Sequence, residues 1–491
     1  MTLATERPTA TQTFDSLEPA TGAVYATFPV QGSDEVAAAV ARAREASQWW
    51  QSLGFNGRKE KLDAWKALLA KRLPELAEVM HRENGKPLGD AQLELVLAID
   101  HVAWAAKNAR RVLGPRRVPS GPMMANQAAS LEYQSLGVVG VIGPWNYPVF
   151  TPMGSIAYAL AAGNTVVFKP SEFTPAVGKW LVDSFAEVVP DHHVLQLLTG
   201  LGETGAALCR AGVNKIAFTG SARTGKKVMA ACAENLVPVL MECGGKDSMI
   251  VDDDANLEAA ADAALWGGMA NAGQTCIGIE RVYATEKAYD GFLAALTEKA
   301  KTVEAGRSYG NITMPSQVEI IRAHIADAIA KGGTVVTGGG IDGTLVEPTI
   351  LTGVPEDSLA VQEETFGPTL TVTKVKSVDE AITLTNATSY GLAGAVFSKR
   401  RGMEIARQLR SGMTSVNSVQ TFAGIPGLPF GGSGDSGFGR IHGDDGLREF
   451  TRAKAITRQR FALPMPLMSF RRTAKTDSLM VKTIRLLHGR G

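Results

Sequence analysis

The stretch that decides the fold is "KIAFTGSARTGKKVMAACAENLVPVLMECGG", Lys215–Gly245. An apolar run ends in a glycine turn, and a helical pattern follows. A second apolar run then ends at Glu242, just ahead of Gly244 and Gly245. The neighbouring sequence repeats this strand–helix–strand unit. "NTVVFKP" and "VLQLLTG" read as strands, and "TPAVGKWLVDSFAEVV" and "LGETGAALCRAG" read as helices. Such alternation argues for βαβ units and a parallel sheet with helices on both faces. Past residue 245 a second alternation supplies the strand candidates "SMIVDD", "ERVYAT", "GTVVTGG", "TLTVTKV", "GAVFS" and "TSVNS". The expected fold is therefore α/β, with two parallel-sheet domains joined near Gly244–Gly245.

Towards the N-terminus the pattern is helical. Residues 33–50 read as an amphipathic helix with Ser33 as N-cap and Asp34 and Glu35 in its first turn. Residues 57–113 are mostly helical, broken at "ENGKP". "LEYQSLGVVGVIGPWNYP" then reads as a strand running into a loop. At the other end, residues 461–491 hold six Lys/Arg (Arg471, Arg472, Lys475, Lys482, Arg485 and Arg490) against one acid, Asp477. The second half of this tail fits a basic amphipathic helix. It suits packing on the body or on a neighbouring subunit, or contact with a membrane surface.

Composition narrows the classes of function. The chain has 491 residues, 45% hydrophobic and 20% charged, which suits a folded protein of more than one domain. Its net charge of +1 gives no reason to expect a nucleic-acid partner. Cys209, Cys232, Cys243 and Cys276 are too scattered for a disulfide framework, and no CxxC pair suggests a metal. A reducing cytoplasm fits them. "MTLATERPTATQTFD" lacks the apolar core of a signal peptide, and no run is long enough to span a membrane.

Several local stretches could carry chemistry. There is no GxGxxG after the early strand, but in "FTGSARTG" Gly220 and Gly225 flank a helix start. Such a turn cradles phosphate or is simply tight. In "VVFKPSE", Lys169 and Glu172 end a strand, where a carboxylate holds ribose hydroxyls or forms an exposed ion pair. In "NAGQTCIGIER", Cys276 sits among small polar residues. If its loop runs into a helix, the dipole lowers the thiol pKa; otherwise Cys276 is a packing residue. Glu242, at an apolar strand end, should have a raised pKa suited to a general base, or it caps a turn. Asn146, between the prolines of "PWNYP", is a candidate oxyanion donor or a turn residue. The seven histidines stand in no motif that reads as catalytic.

The order of these pieces is more specific than any one of them. Over about residues 15–460 the chain resembles the aldehyde dehydrogenase superfamily. The resemblance rests on "PWNYP" (144–148), "KPSE" (169–172), "FTGS" (218–221), "ECGGK" (242–246), "GQTC" (273–276), "EETFGP" (363–368) and "PFGGSGDSGFGR" (429–440). It implies two Rossmann-like domains, an NAD-binding one over 15–116 and 136–244 and a catalytic one over 245–440. It also implies a β-arm for oligomerisation over 117–135 and 441–460, hence a homodimer or homotetramer, with 461–491 as a tail.

The resemblance implies that Cys276 attacks an aldehyde and Asn146 holds the oxyanion, with Glu242 activating the water that cleaves the thioester. It places NAD, or NADP, against Ile142, Pro144, Trp145, Lys169, Ser171, Glu172, Gly220, Ser221, Gly225, Gly244, Glu364 and Phe366. Glu172 would repel a 2′-phosphate, which favours NAD. There are two departures from the common pattern. Cys243 stands where many members have Leu, and Ser155 where many have Lys. The apolar loop "VQTFAGIPGLPF" (419–430) points to an uncharged, hydrophobic aldehyde, with succinic semialdehyde as the alternative. An acyl-reducing relative of the same fold would not need Glu242.

Overall fold

The structure, a computed structural model, describes residues 12–463 and 468–489. The alternating region forms a six-stranded sheet. Its order is Gly437–Phe438, Val239–Glu242, Lys215–Thr219, Val138–Ile142, Thr165–Lys169, Leu195–Leu197. All pairings are parallel except that of Gly437–Phe438. Val138–Ile142 and Thr165–Lys169 are buried at every position, as a sheet covered on both faces requires. Part of that cover is the helix Ser33–Ser52, whose Val36, Ala39, Val40 and Ala43 enter the core beside Ile216 and Leu208.

Between Glu242 and Asp247 the chain passes to a second sheet. Its order is Thr334–Thr337, Thr349–Thr352, Thr369–Val375, Ile279–Thr285, Asp247–Val251, Gly394–Phe397, Ser415–Val416. Only the edge strand Thr334–Thr337 runs antiparallel.

Some local readings are corrected. Gly32, not Ser33, is the N-cap of the first long helix, because Glu35 reaches back to accept from the Gly32 N–H at 2.9 Å. "LEYQSLGVVGVIGP" contains two strands. They part at Leu136–Gly137, where Asn164 Oδ1 accepts from both N–H groups at 2.7 and 2.9 Å and takes them out of the ladder. "TSVNS" pairs only through Ser415 and Val416, because Asn417 turns to φ 51°.

The chain divides into two compact units. One runs to Val112 and over Ser135–Thr451; the other comprises Leu113–Gln134 and the residues from Arg452 on. In the second unit, Thr451–Gln459, Gln127–Ser135 and Arg116–Val118 form a three-stranded sheet in that order. The helix Ala474–His488, capped by Thr473, lies in this unit. Its Thr476, Met480 and Thr483 line a crevice of about 180 Å³ with Pro122, Met123 and Ala125. Leu479, Ile484, Leu486 and Leu487 of the same helix are exposed. Among the described residues no helix is long and apolar enough to cross a membrane.

Candidate active site

Ile142, Lys169, Thr219 and Glu242 end four neighbouring parallel strands. The register sets Ile142 against Lys169 and Phe218, and Thr219 against Glu242, so all four meet at one edge. In open α/β sheets this edge is where ligands bind. Pro144 and Trp145 follow Ile142, and the intervening Gly143 N–H donates to Lys169 O at 3.0 Å. The Lys169 ammonium is buried and donates to Pro170 O at 3.0 Å, and burial holds its pKa below the usual value. It lies 3.9 Å from the half-exposed Glu172 carboxylate, which also accepts from Ser171 Oγ at 3.3 Å. Gly220 N–H donates to Glu242 O at 3.1 Å. Ser221 caps the helix Ala222–Ala233 by accepting from Thr224 N–H, and Gly225 lies in that helix's first turn.

Cys276 lies at the end of a strained loop. Asn271, Ala272 and Gly273 are left-handed in succession, with φ of 54°, 57° and 71°. At Gly273 a side chain would also overlap the backbone of Gly367. Side chains hold this shape. Asn271 Nδ2 donates to Asn146 O at 3.0 Å, and Gln274 Nε2 donates to Asn271 O at 2.9 Å. Gln274 Oε1 in turn accepts from Thr313 N–H at 2.8 Å.

The loop leads into the strand Ile279–Thr285, not into a helix, so no dipole lowers the Cys276 pKa. The thiol is instead pushed up. Burial is the main cause, joined by the charges of Glu364, Asp247 and Glu242, and the Ile277 N–H opposes them weakly.

Asn146 is buried, and its Nδ2 donates to Gln274 O at 2.9 Å, which brings the amide to the Cys276 loop. Tyr147 Oη pairs with Thr275 Oγ1 at 3.1 Å. The "PWNYP" loop is fixed from below by a fully buried ion pair, Lys86–Glu94. Lys86 Nζ also donates to Asn146 O at 3.0 Å, and Glu94 Oε1 accepts from Val149 and Phe150 N–H at 2.8 and 3.0 Å.

Glu242 is buried, and neither carboxyl oxygen has a protein partner. Burial lifts its pKa well above the carboxylate range; the nearby Arg440 pulls it down and Glu449 pushes it up. Its strand end leads to Gly244, where a side chain would collide with the Glu364 carboxyl. That carboxyl accepts from Gly245 N–H at 3.0 Å, and burial pushes its pKa up to about 8. Phe366, at φ 51°, stands edge-on to Trp145 with ring centroids 5.5 Å apart.

The two departures are accommodated in the core. Cys243 packs beneath the Ala222–Ala233 helix, near Gly225, with its pKa pushed up to about 12 by burial. Ser155 is buried in the helix Phe150–Ala162.

The aldehyde dehydrogenase family profile matches residues 6–456. The chain belongs to the aldehyde dehydrogenase family. It oxidises an aldehyde to a carboxylic acid with a nicotinamide dinucleotide, NAD or NADP. The chain is 36% identical to 4,4'-diapolycopene aldehyde oxidase of a Methylomonas species, over 92% of this chain and 87% of that one. It is 34% identical to glutarate-semialdehyde dehydrogenase of Pseudomonas putida, over 91% of this chain and 94% of that relative. The NAD-dependent aldehyde dehydrogenase of Sinorhizobium meliloti superposes with a TM-score of 0.89 at 32% identity, covering 93% of each chain.

Motif reading missed much of what supports this dehydrogenase's site. Lys86, Glu94, Asn271, Gln274, Lys246 and Glu280 are all buried beside motif residues. Gln274 and Lys246 lie within "GQTC" and "ECGGK", and Asn271 and Glu280 stand a few residues from "GQTC", while Lys86 and Glu94 are far along the chain from "PWNYP" and carry no such signal. The histidines also gain a place. His101 and His442 pack with ring centroids 3.7 Å apart, ringed by Phe150, Tyr158 and Phe430.

Proposed function

We propose that in this aldehyde dehydrogenase Cys276 is the nucleophile, Asn146 an oxyanion donor and Glu242 the base. The observation that carries this is convergence. Asn146 bonds into the Cys276 loop, and an unpartnered Glu242 carboxyl sits close enough for its charge to raise the Cys276 pKa.

Deprotonated Sγ adds to the carbonyl carbon, a C–S bond forms, and the carbonyl π pair moves to oxygen. A side-chain amide has two N–H donors. Gln274 O takes one of those on Asn146, which leaves the other, with the Cys276 N–H, for the oxyanion. A bound nicotinamide would supply the hydride acceptor; as the hydride leaves this carbon, the oxyanion pair re-forms the carbonyl and a thioester remains on Sγ. Glu242 then takes a proton from water, the water oxygen attacks the thioester carbon, and the C–S bond breaks to release the acid. A base whose pKa is raised toward the working pH suits this step.

The donor set suits the dinucleotide. Lys169, Ser171 and Glu172 would hold the adenosine ribose, and Gly220, Ser221 and Gly225 the phosphates at a helix start. Ile142, Pro144, Trp145, Gly244, Glu364 and Phe366 would border the nicotinamide end. Glu172 is unpaired except by Lys169 and Ser171 and would repel a 2′-phosphate, which favours NAD.

For the substrate we favour an uncharged, apolar aldehyde. Gln420 Nε2 donates to Ile277 O at 3.1 Å, which fastens the apolar 419–430 loop beside Cys276. Arg281, the first cation after Cys276 in the chain, is committed to the carbonyls of Lys246, Leu384 and Thr385 and so is no seat for a carboxylate. Steady-state kcat/KM for propanal, hexanal, decanal and succinic semialdehyde tests this. Each buried methylene adds about 0.8 kcal/mol, roughly fourfold. Decanal should therefore lead, and preference for succinic semialdehyde would overturn the reading.

The reading extends to assembly and place. The Thr451–Gln459 strand is the outer, largely exposed strand of its sheet, and such an edge calls for pairing between subunits in a dimer or tetramer. Light scattering on the purified protein checks it; a monomer would refute it. The tail helix sets Lys475, Lys482 and Arg485 beside exposed Leu479, Leu486 and Leu487, which supports contact with an anionic membrane surface. Co-sedimentation with phosphatidylserine vesicles, but not with neutral ones, is the expected result. The four free thiols suit the cytoplasm.

A further inference from the structure

The segment that carries Glu364 and Phe366 is fastened from one side by a carboxylate that plays no part in the scheme above. Glu280 is buried, and its two oxygens accept from Thr365 N–H at 3.1 and 2.9 Å and from Phe366 N–H at 2.9 Å. The ammonium of Lys246, equally buried, forms an ion pair with Glu280 and donates to Thr365 Oγ1 at 3.1 Å. Arg281 holds the Lys246 carbonyl through two N–H groups, at 3.0 and 2.6 Å. His324 Nδ1 pairs with Thr365 Oγ1 at 3.0 Å, and Gln317 Nε2 donates to Thr365 O at 2.8 Å.

The placement of these groups matters more than their number. Lys246 follows Glu242 at the start of the second sheet, and Glu280 follows Cys276 on the adjacent strand, where Asp247 pairs with Ile279. One buried ion pair therefore ties together the segments after the base, after the thiol and around Phe366. Phe366 is not glycine, yet it stands at φ 51°, a conformation that persists only where the surroundings impose it. Two N–H groups in succession, both aimed at Glu280, are what impose it.

Accepting the reading that Glu364 and Phe366 border the nicotinamide ring, we propose that Glu280 is a positioning residue for hydride transfer. With Lys246 it locks Thr365 and Phe366 in the left-handed turn that sets the Phe366 ring against Trp145. A carboxylate suits this task better than an amide, because two acceptor oxygens meet two N–H donors while the charge is neutralised by Lys246. Loss of Glu280 frees the turn, so the Phe366 ring is no longer set against Trp145 and would orient a bound nicotinamide less well. A misplacement of about 1 Å can cost on the order of 100-fold in rate.

The test uses the full-length enzyme with NAD and hexanal, protonated or deuterated at the aldehyde carbon. The variants are Glu280→Ala, Glu280→Gln and Phe366→Ala. Glu280→Ala should lower kcat by about 100-fold with little change in the hexanal KM, and the primary isotope effect on kcat should rise as hydride transfer becomes limiting. Glu280→Gln keeps an acceptor for the two N–H groups, so it should recover part of kcat and have an isotope effect between those of Glu280→Ala and the parent. A merely structural role would reduce the folded fraction and leave the isotope effect per active site unchanged.

If Glu280→Ala does not fold, Glu280→Gln decides, and parental kcat and isotope effect in it overturn the proposal. If Phe366→Ala also matches the parent, the cofactor reading is at fault. If Phe366→Ala is impaired and the Glu280 variants are not, the positioning role alone fails.

Discussion

Two sides of the site are held by opposite means. Around Cys276 the backbone is fastened by ions and amides: Lys246–Glu280, Lys86–Glu94, Asn271 and Gln274. Behind the helix Phe150–Ala162 the material is aromatic. His101 and His442 pack with their rings tilted by 33° among Phe150, Tyr158 and Phe430, and both ring nitrogens of His442 are buried without a partner. The ionic side fixes backbone segments through directional, charge-assisted bonds, which a reaction needs. The aromatic side is a buried packing of rings, tied to the chain through His101 to Ala423 O at 3.1 Å and Tyr158 Oη to Pro426 O at 3.1 Å. Directional bonding and ring packing thus hold different parts of one unit.

If that division is right, the ionic side should tolerate change poorly. Lys246→Met leaves Glu280 buried without its partner, and removing one partner of a buried pair costs about 3–5 kcal/mol. Denaturant unfolding reads this directly; a loss near zero would mean the pair is dispensable. Asn146→Ala removes the proposed oxyanion donor and a tether to Gln274, so kcat should fall on the order of 100- to 1000-fold. Steady-state rates with NAD and hexanal measure it.

The aromatic side should fail in acid. Burial holds His101 at about 4, against an ordinary 6.5, and holds His442 well below that ordinary value. With depressed folded-state pKa values the unfolded chain takes up protons first, so stability is lost as pH falls below 6.5. His101 alone accounts for about 2 kcal/mol at pH 5, seen as a lower denaturant midpoint than at pH 7. The smallest effect is expected from His101→Phe. It keeps a ring and gives up the bond to Ala423 O at 3.1 Å, which costs about 1 kcal/mol at pH 7 and flattens the acid loss. A cost as large as that of Lys246→Met would erase the contrast between the two sides.

Activity should move with pH in the alkaline direction. Cys276 and Glu242 both carry raised pKa values, so their reactive, deprotonated forms accumulate as pH rises. The kcat/KM profile should climb from neutral into the alkaline range, by about tenfold per unit while one group governs. A profile flat from pH 6 to 9 would contradict the raised values.

The two sides also differ in how legible they were in the sequence. The strands of the first sheet stand out because fully buried parallel strands are runs of apolar residues. Cys276, Glu242 and Asn146 were ambiguous singly and became specific through the order of the motifs around them. The dipole reading of Cys276 failed because nothing in "NAGQTCIGIER" distinguishes a loop entering a helix from one entering the strand Ile279–Thr285. Lys86, Glu94, Lys246 and Glu280 look like solvated surface charges in a single sequence, since pairing is a property of three-dimensional neighbours. The His101–His442 contact joins residues far apart in the chain, which no local pattern reveals.

The most direct test of the central claim is a rapid-mixing measurement on Glu242→Gln with NAD and hexanal, followed by intact-mass analysis. With the base removed and the nucleophile intact, one equivalent of reduced cofactor should appear per active site in a burst. Turnover should then be slow, with an acyl adduct on Cys276 that is absent in Cys276→Ala. Steady turnover at the parental rate without an adduct would contradict both the thioester and the role of Glu242.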